Sequence, residues 1–316
     1  FPALLEELKK AERFIFLEYF IVEPGVMWDS ILDILEEKAA EGLDGRLIYD
    51  DMGCIMTLPR NYAKRMEKLG IRCCTFHRFQ PVLTGTFNNR DHRKICVIDS
   101  EVAFTGGVNL ADEYINRRER FGHWLDCAVR IRGRAAYSFA LMFLSMWDYI
   151  SHEDDDLVAF RPAPGALDGI ADDGFVQPYC DSPADDEPVG ERTYINMISR
   201  AKKYVYICTP YLVIDNELMN ALTSAAKSGR ADNHTARAGQ VVCPPGHAQL
   251  LCAADTRGCA RLRVHARLHT LQDLCVRRRL RHLRHHQPRL PQPVPAPRVR
   301  GLDVQVQRRR RHEGLL

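Results

Sequence analysis

From residue 230 to Leu316 the chain contains no Lys, Ile, Met, Phe, Tyr or Trp, although aromatics make up 9% of the whole sequence. A stretch of 87 residues without those side chains has little from which to build a packed core. It holds 18 Arg against 5 acidic residues, a net of +13, whereas residues 1–229 hold 26 basic and 36 acidic residues, a net of −10. The overall formal charge of +3 therefore describes neither part. Also missing is any uninterrupted apolar run of about 18 residues or a basic-then-apolar leader, so the sequence given holds neither a membrane span nor a secretory signal. The 11 cysteines are odd in number and form no Cys-x-x-Cys pair, which argues against a disulfide framework and for a reducing, cytosolic environment. The chain opens at Phe1 rather than Met, already inside a helical pattern, and reads as a fragment.

What is present before residue 230 alternates strand and helix. Leu4 to Lys10 reads as a helix and Phe14 to Val22 as an apolar strand, followed by a helix from Trp28 to Ala40 that buries Ile31, Leu32, Ile34 and Leu35. Arg46 to Tyr49 is a short strand delivering Asp50 and Asp51 to a loop closed by Gly53. A helix from Tyr62 to Leu69 and a strand from Ile71 to Phe76 come next. Arg93 to Ile98 pairs through an Asp99-Ser100 turn with Val102 to Phe104, and Trp124 to Ile131 is a further strand. Ala135 to Tyr149 is a helix whose Phe139, Met142, Phe143 and Met146 stripe belongs to the core. The alternation predicts a layered α/β domain over residues 1–160. Glu153-Asp154-Asp155-Asp156 reads as a solvated charge run at its end, and residues 161–188, rich in Pro, Gly and Asp, as a linker.

Chemistry concentrates in Asp91-His92-Arg93-Lys94-Ile95-Cys96-Val97-Ile98-Asp99, a His-x-Lys-x4-Asp array with Gly106-Gly107-Val108-Asn109 close behind. His92 and Lys94 are two apart, so on an extended strand both leave the same face and can meet one ligand. An imidazole there can attack phosphorus while an ammonium holds a non-bridging oxygen, and no metal or other cofactor is required. Asn109, after a glycine turn that lets backbone come close, adds an amide donor to the same phosphoryl group. Asp126, beyond Gly122-His123-Trp124, is the candidate carboxylate to orient the imidazole, or else a plain strand-end residue. Asp99, at the far end of the strand, secures the turn. Glu18, Asp50 and Asp51 line a cleft at strand ends or serve as turn and cap groups. His123 belongs to an aromatic cluster with Trp124, and His77 and His152 are surface groups.

The array, its flanks Asn88-Asn89-Arg90-Asp91-His92-Arg93-Lys94 and Phe104-Thr105-Gly106-Gly107-Val108-Asn109-Leu110-Ala111-Asp112-Glu113-Tyr114, and Phe14-Ile15-Phe16-Leu17-Glu18-Tyr19-Phe20 resemble the bacterial cardiolipin synthase branch of the phospholipase D superfamily. The resemblance runs from residue 1 to 229. It implies a mixed sheet flanked by helices, a phosphohistidine intermediate, an anionic phospholipid substrate (phosphatidylglycerol), and a place at the cytoplasmic side of a bacterial cell membrane, with spanning helices upstream of this chain. His92 is then either nucleophile or acid, and Lys94 and Asn109 stabilise phosphoryl charge.

A second copy begins near residue 189. Ala201-Lys202-Lys203-Tyr204-Val205-Tyr206-Ile207 lines up with Ala11-Glu12-Arg13-Phe14-Ile15-Phe16-Leu17, and Ser224 to Gly229 with Glu37 to Gly42. The pattern stops at Gly229, where the family would go on to a second array. Codons allowed for Leu268 to Arg277, read one base out of phase, permit Phe-Ile-His-Ser-Lys-Thr-Phe-Val-Ser-Asp, so residues 230–316 read as an out-of-frame half, or else as a disordered Arg/His/Pro-rich tail. Three functions compete: a phosphatidyltransferase that is inactive as this fragment, a single-array phosphodiesterase or nuclease completed by a homodimer, and a nucleic-acid binder acting through Arg308 to Arg311. The cardiolipin-like segments favour the first, and nucleic acid is the least favoured partner.

Overall fold

The computed structural model describes residues 1–77, 90–120, 123–124, 126–171, 174–181, 187–202, 205, 207 and 215–227. The readings of residues 230–316, of the second array and of Arg308 to Arg311 lie outside the described residues. One mixed sheet has the order β3-β2-β1-β4-β5-β6. The first three strands, β1 (Phe14–Tyr19), β2 (Asp44–Asp50) and β3 (Arg72–Phe76), are parallel. Then β4 (Lys94–Ile98), β5 (Val102–Gly106) and β6 (Ala128–Arg132) run antiparallel to their neighbours. The parallel half has helical crossovers, α2 (Val26–Ala40) and then the single turn α3 (Asp51–Cys54) followed by α4 (Tyr62–Lys68), as parallel strands require.

Every residue of β1 is buried, because both faces of the sheet are covered. On one face Ile15, Leu17, Leu47 and Cys96 meet Leu8 of α1 (Pro2–Lys9), Trp28, Ile31 and Leu35 of α2, and Met66 of α4. On the other, Phe14, Phe16, Ile48, Ile95 and Val97 meet Phe139, Phe143, Leu144 and Trp147 of α5 (Ala135–Ser151), with Phe16 and Phe143 stacked at 4.6 Å. The strict alternation of β1 between the two clusters follows from the two-residue period of an extended strand, while its sequence is a nearly continuous apolar run, as burial on both faces allows. Farther along, α6 (Val189–Arg200) and α7 (Asn216–Lys227) meet through Ile198, Leu222 and Ala225, with Ile207 alongside.

Two expectations need correction. The last strand starts at Ala128 rather than Trp124, because the Asn116 carboxamide takes both main-chain groups of Trp124, accepting its N–H at 2.6 Å and donating to its carbonyl at 2.8 Å. The acidic run after α5 is exposed at Glu153, Asp154 and Asp156, as a solvated run should be, but the expectation left out its partners. Asp155 holds Arg46 through two contacts of 2.5 and 3.0 Å, Glu153 pairs with Arg72 and accepts from Trp147 Nε1, and Asp156 caps the turn Leu157–Phe160. Arg46 is buried among the rings of Phe16, Trp147 and Phe160, so its charge needs carboxylate partners, which are Asp155 and Asp44, the latter accepting from Arg46 Nε at 2.9 and 3.0 Å. The spacing of the run carries no hint of a buried arginine beneath it.

Asp99 ends β4 in a left-handed conformation, and its carboxylate accepts the N–H groups of Glu12, Arg13 and Phe14 at 2.8, 2.9 and 2.8 Å. It therefore ties the entry of β1 to the exit of β4. Asp99→Ala is expected to lower stability by roughly 2–4 kcal/mol, since it strands partly buried donors, while Asp99→Asn, which keeps one acceptor and tolerates the backbone, costs about 1–2 kcal/mol. Urea unfolding of the two variants measures this, and equal midpoints would contradict it.

Candidate active site

The array lies where the C-terminal ends of β1 and β2 meet the start of β4. Phe20, just beyond β1, is the common floor: the His92 ring lies 4.8 Å from it and Lys94 Nζ 5.4 Å. Lys94, 4% exposed, opens β4 opposite Tyr19 and donates to the carbonyl of His92 at 2.5 Å. His92 precedes the strand and presents an exposed edge. The structure thus brings the two residues together through a shared aromatic neighbour.

Both groups lose basicity, for a shared reason. The low-dielectric surroundings of His92, and then the charge of Lys94, push the imidazole down to about 4. Burial pulls Lys94 down to about 7, against the charges of Asp91, Asp126 and Asp50. At neutral pH the imidazole is unprotonated and Lys94 is poised to take a proton when an anion arrives.

Asn109 is 3% exposed, and its carboxamide is engaged inside the protein. Oδ1 accepts from Ile21 N–H at 3.0 Å and Nδ2 donates to Tyr114 Oη at 2.7 Å. Val22 pairs with Leu110, while Cys54 Sγ accepts from Val22 N–H and Thr57 Oγ1 donates to Val22 O. These bonds fix the path of the chain that carries Phe20. Gly53 belongs to the same clamp, since a Cβ there would lie 2.0 Å from the Phe20 carbonyl oxygen.

Asp126 packs directly on Gly107, where a Cβ would come within 2.3 Å of its Oδ1. It accepts from its own neighbour Cys127 N–H, and its negative charge acts on Lys94. The glycine pair thus admits the 126–127 segment, because a Cβ on Gly106 would likewise meet the Cys127 carbonyl at 2.4 Å. Asp99 stands at the opposite end of β4 from the imidazole.

Asp50 is fully buried, accepting from Gly53 N–H at 2.9 Å and from Asp91 N–H at 3.1 Å. It is therefore both a cap and a fastener for the chain before His92. Glu18 is fully buried too, against Arg93. His77 stacks on Phe76, His152 closes α5, and Trp124 tilts against Tyr114 at 4.8 Å while His123 is exposed. Sequence reasoning passed over Phe20, Asp91, Arg93 and Tyr114. The only signal for Asp91 and Arg93 was their place beside His92, and for Phe20 its place at the end of an apolar run. Among the described residues the one group near enough to share a metal ion is Glu191, Asp215 and Glu217, none of which belongs to the array.

Fold and site together define a phospholipase D-like α/β domain bearing one His-x-Lys-x4-Asp array among its described residues. Residues 4–147 match the family model described as cardiolipin synthase, PLD-like domain. The chain is 37% identical over 227 residues to a cardiolipin synthase of Alkalihalophilus pseudofirmus, covering 72% of this chain and 44% of that protein. It is 49% identical over 229 residues to an uncharacterized protein of Streptococcus mutans, covering 72% and 49%. Among solved structures, phosphatidylserine synthase from Haemophilus influenzae aligns with a TM-score of 0.57 at 14% identity, covering 87% of this chain and 73% of that one, a likeness of fold. The likeness over residues 4–147 is therefore to the phospholipase D-like domain of cardiolipin synthases. The chain spans about half the length of the curated relatives it matches.

A lysine buried at a cost to its own charge makes a measurable prediction. The folded state holds Lys94 at about 7 against an ordinary 10.5, so its contribution to stability falls as pH drops from about 10.5 through 7. Lys94→Met should therefore be more stable than the natural chain by roughly 1–2 kcal/mol at pH 7. The advantage should shrink as pH is raised toward 10. Denaturation midpoints at both pH values test it, and a variant less stable at pH 7 would contradict it.

Proposed function

We propose that the array serves phosphatidyl transfer, with phosphatidylglycerol converted to cardiolipin and glycerol. The observation that carries the reading is the convergence of an unprotonated His92 and a proton-accepting Lys94 on one aromatic floor. An imidazole near 4 has a free lone pair at neutral pH, which suits attack on phosphorus better than proton donation. In the proposed sequence an imidazole nitrogen of His92 bonds to phosphorus and the glycerol oxygen leaves with a proton from a second histidine. That second histidine then takes the proton of an incoming phosphatidylglycerol hydroxyl, which attacks phosphorus and releases His92. Lys94, protonated by the approach of the phosphoryl anion, holds a non-bridging oxygen. Asn109 supports the site through Ile21 and Tyr114, and Asp126 supplies the negative charge that keeps Lys94 able to bind a proton. Asp99 acts on stability alone. No step calls for a metal.

The relatives named cardiolipin synthase support the substrate class, and a lipid substrate places the site at a membrane surface. Among the described residues no helix is long and apolar enough to cross a membrane. One array supplies one imidazole, whereas the proposed sequence uses two. The chain alone is therefore expected to show little or no conversion of phosphatidylglycerol to cardiolipin, and a version whose residues after 229 are replaced by the second array in the other reading frame should be active. In that version His92→Ala should cut the rate by at least about 10² to 10⁴. Lys94→Ala should also be severely impaired. The assay follows cardiolipin formation without added metal, and near-normal turnover by the His92→Ala enzyme would defeat the assignment. Phosphodiesterase activity of the unaltered chain that rises with dimerisation would instead favour the single-array homodimer.

A further inference from the structure

The sheet end beneath His92 holds more buried charge than phosphoryl chemistry uses. Glu18 is 0% exposed and points to the α5 side of β1, in alternation with Phe14 and Phe16. Arg93 Nη2 lies 2.6 Å from Glu18 Oε1, while Arg93 Nε donates to Asp91 Oδ1 at 2.9 Å. Asp91 in turn lies within hydrogen-bonding reach of Glu18, and its N–H donates to Asp50. Neither oxygen of Glu18, nor Oδ2 of Asp91, nor Nη2 of Arg93 has a well-directed hydrogen bond. Such atoms are rare in protein interiors and persist where something other than stability keeps them.

Charge counting shows how the cluster is tolerated. Glu18, Asp50 and Asp91 face two guanidinium groups, Arg93 and Arg90, the latter 3.9 Å from Asp50. Leaving Lys94 aside, the carboxylates outnumber the guanidinium groups by one, which disfavours an ionised Glu18. Burial, then the charge of Asp91, accordingly holds Glu18 well above the ordinary carboxylate range. Simple packing at this point would be served as well by an apolar side chain, which is often neutral or stabilising in place of buried charge.

We propose that Glu18 is a positioning residue for His92: from the α5 side of the sheet it holds Asp91 and Arg93, the two chain neighbours of His92, and so fixes the main chain from which the imidazole reaches Phe20. The inference rests on His92 as the reacting group. Glu18→Gln preserves the pattern, since its amide donates to Asp91 and its carbonyl accepts from Arg93. Glu18→Met removes both contacts at similar volume, and Glu18→Asp withdraws the carboxyl by one methylene.

The test is an NMR titration of the His92 imidazole in the full chain, with the signal assigned by its loss in His92→Ala. The natural protein and Glu18→Gln should titrate near 4. In Glu18→Met the ring, released from its crowded seat and from Lys94, should move upward by about one unit or more, and Glu18→Asp should move the same way by less. Loss of a nearby negative charge alone would move it downward, so the sign separates loosening from plain charge removal. A folded Glu18→Met with His92 unmoved or lowered overturns the proposal, as does a Glu18→Gln that shifts as far as Glu18→Met. If Glu18→Met does not fold, an unmoved Glu18→Asp overturns it. The titration reads the seat of His92 whether or not the chain turns over lipid, whereas full turnover by the second-array version carrying His92→Ala would refute the function and leave the positioning result standing.

Discussion

The register between β1 and β4 is the constraint on which the rest depends. Tyr19 stands opposite Lys94 and Ile15 opposite Ile98, so the array residues are set by the same ladder that seats the central strand. A slip of one residue would turn Lys94 and Cys96 to the α5 face and put Ile95 and Val97 on the other, exchanging both cores at once. Three carboxylate hydrogen bonds from Asp99 hold the ladder at one end. At the other, Asn109 accepts from Ile21, and Asp50 accepts from Asp91 N–H. Residues far apart in the sequence are thereby joined at both ends of one strand pair.

Within that frame the active end is built from charge the fold would be easier without. Glu18, Asp50, Asp91, Lys94 and Asn109 are all buried at the ends of β1, β2 and β4, next to the fully apolar interior of the sheet. Desolvation is the leading cause of the altered basicity of Glu18, Asp50, His92 and Lys94 alike. Water at this place would leave the imidazole about half protonated near its ordinary 6.5 and the lysine fully charged. Crowding instead yields an unprotonated imidazole beside an amine ready to gain a proton, the pairing that the proposed phosphoryl transfer would use.

Much of this was legible in the sequence because period and spacing are local properties. The apolar run from Phe14 to Val22 announced a strand, the Phe139, Met142, Phe143 and Met146 stripe a helix with a core face, and the His92 and Lys94 interval a shared approach to one ligand. The contacts that escaped notice are non-local. No pattern in Glu153 to Asp156 tells of Arg46, over 100 residues earlier in the chain, and nothing near Trp124 announces that Asn116 will occupy its backbone. Asn109 shows the limit most plainly: its chemistry suggested a hand on the phosphoryl group, and the fold has its carboxamide gripping Ile21 and Tyr114.

The same arrangement separates folding from chemistry. Six strands and the helices α1, α2, α4 and α5 close both faces of the sheet with side chains from residues 1–160, and among the described residues the two buried clusters there draw on nothing beyond them. That domain has the core it needs, whether or not a second imidazole is supplied. The active end differs, because its one array lies at an edge of the domain where the sheet stops and His92 presents an exposed side. A fold can therefore remain intact around a site that, in the proposed reaction, supplies one of two histidines, and selection on stability alone would not preserve Glu18 or Lys94 there. If His92 reacts as proposed, their burial is the cost of keeping it in place for a partner group that approaches from outside this sheet.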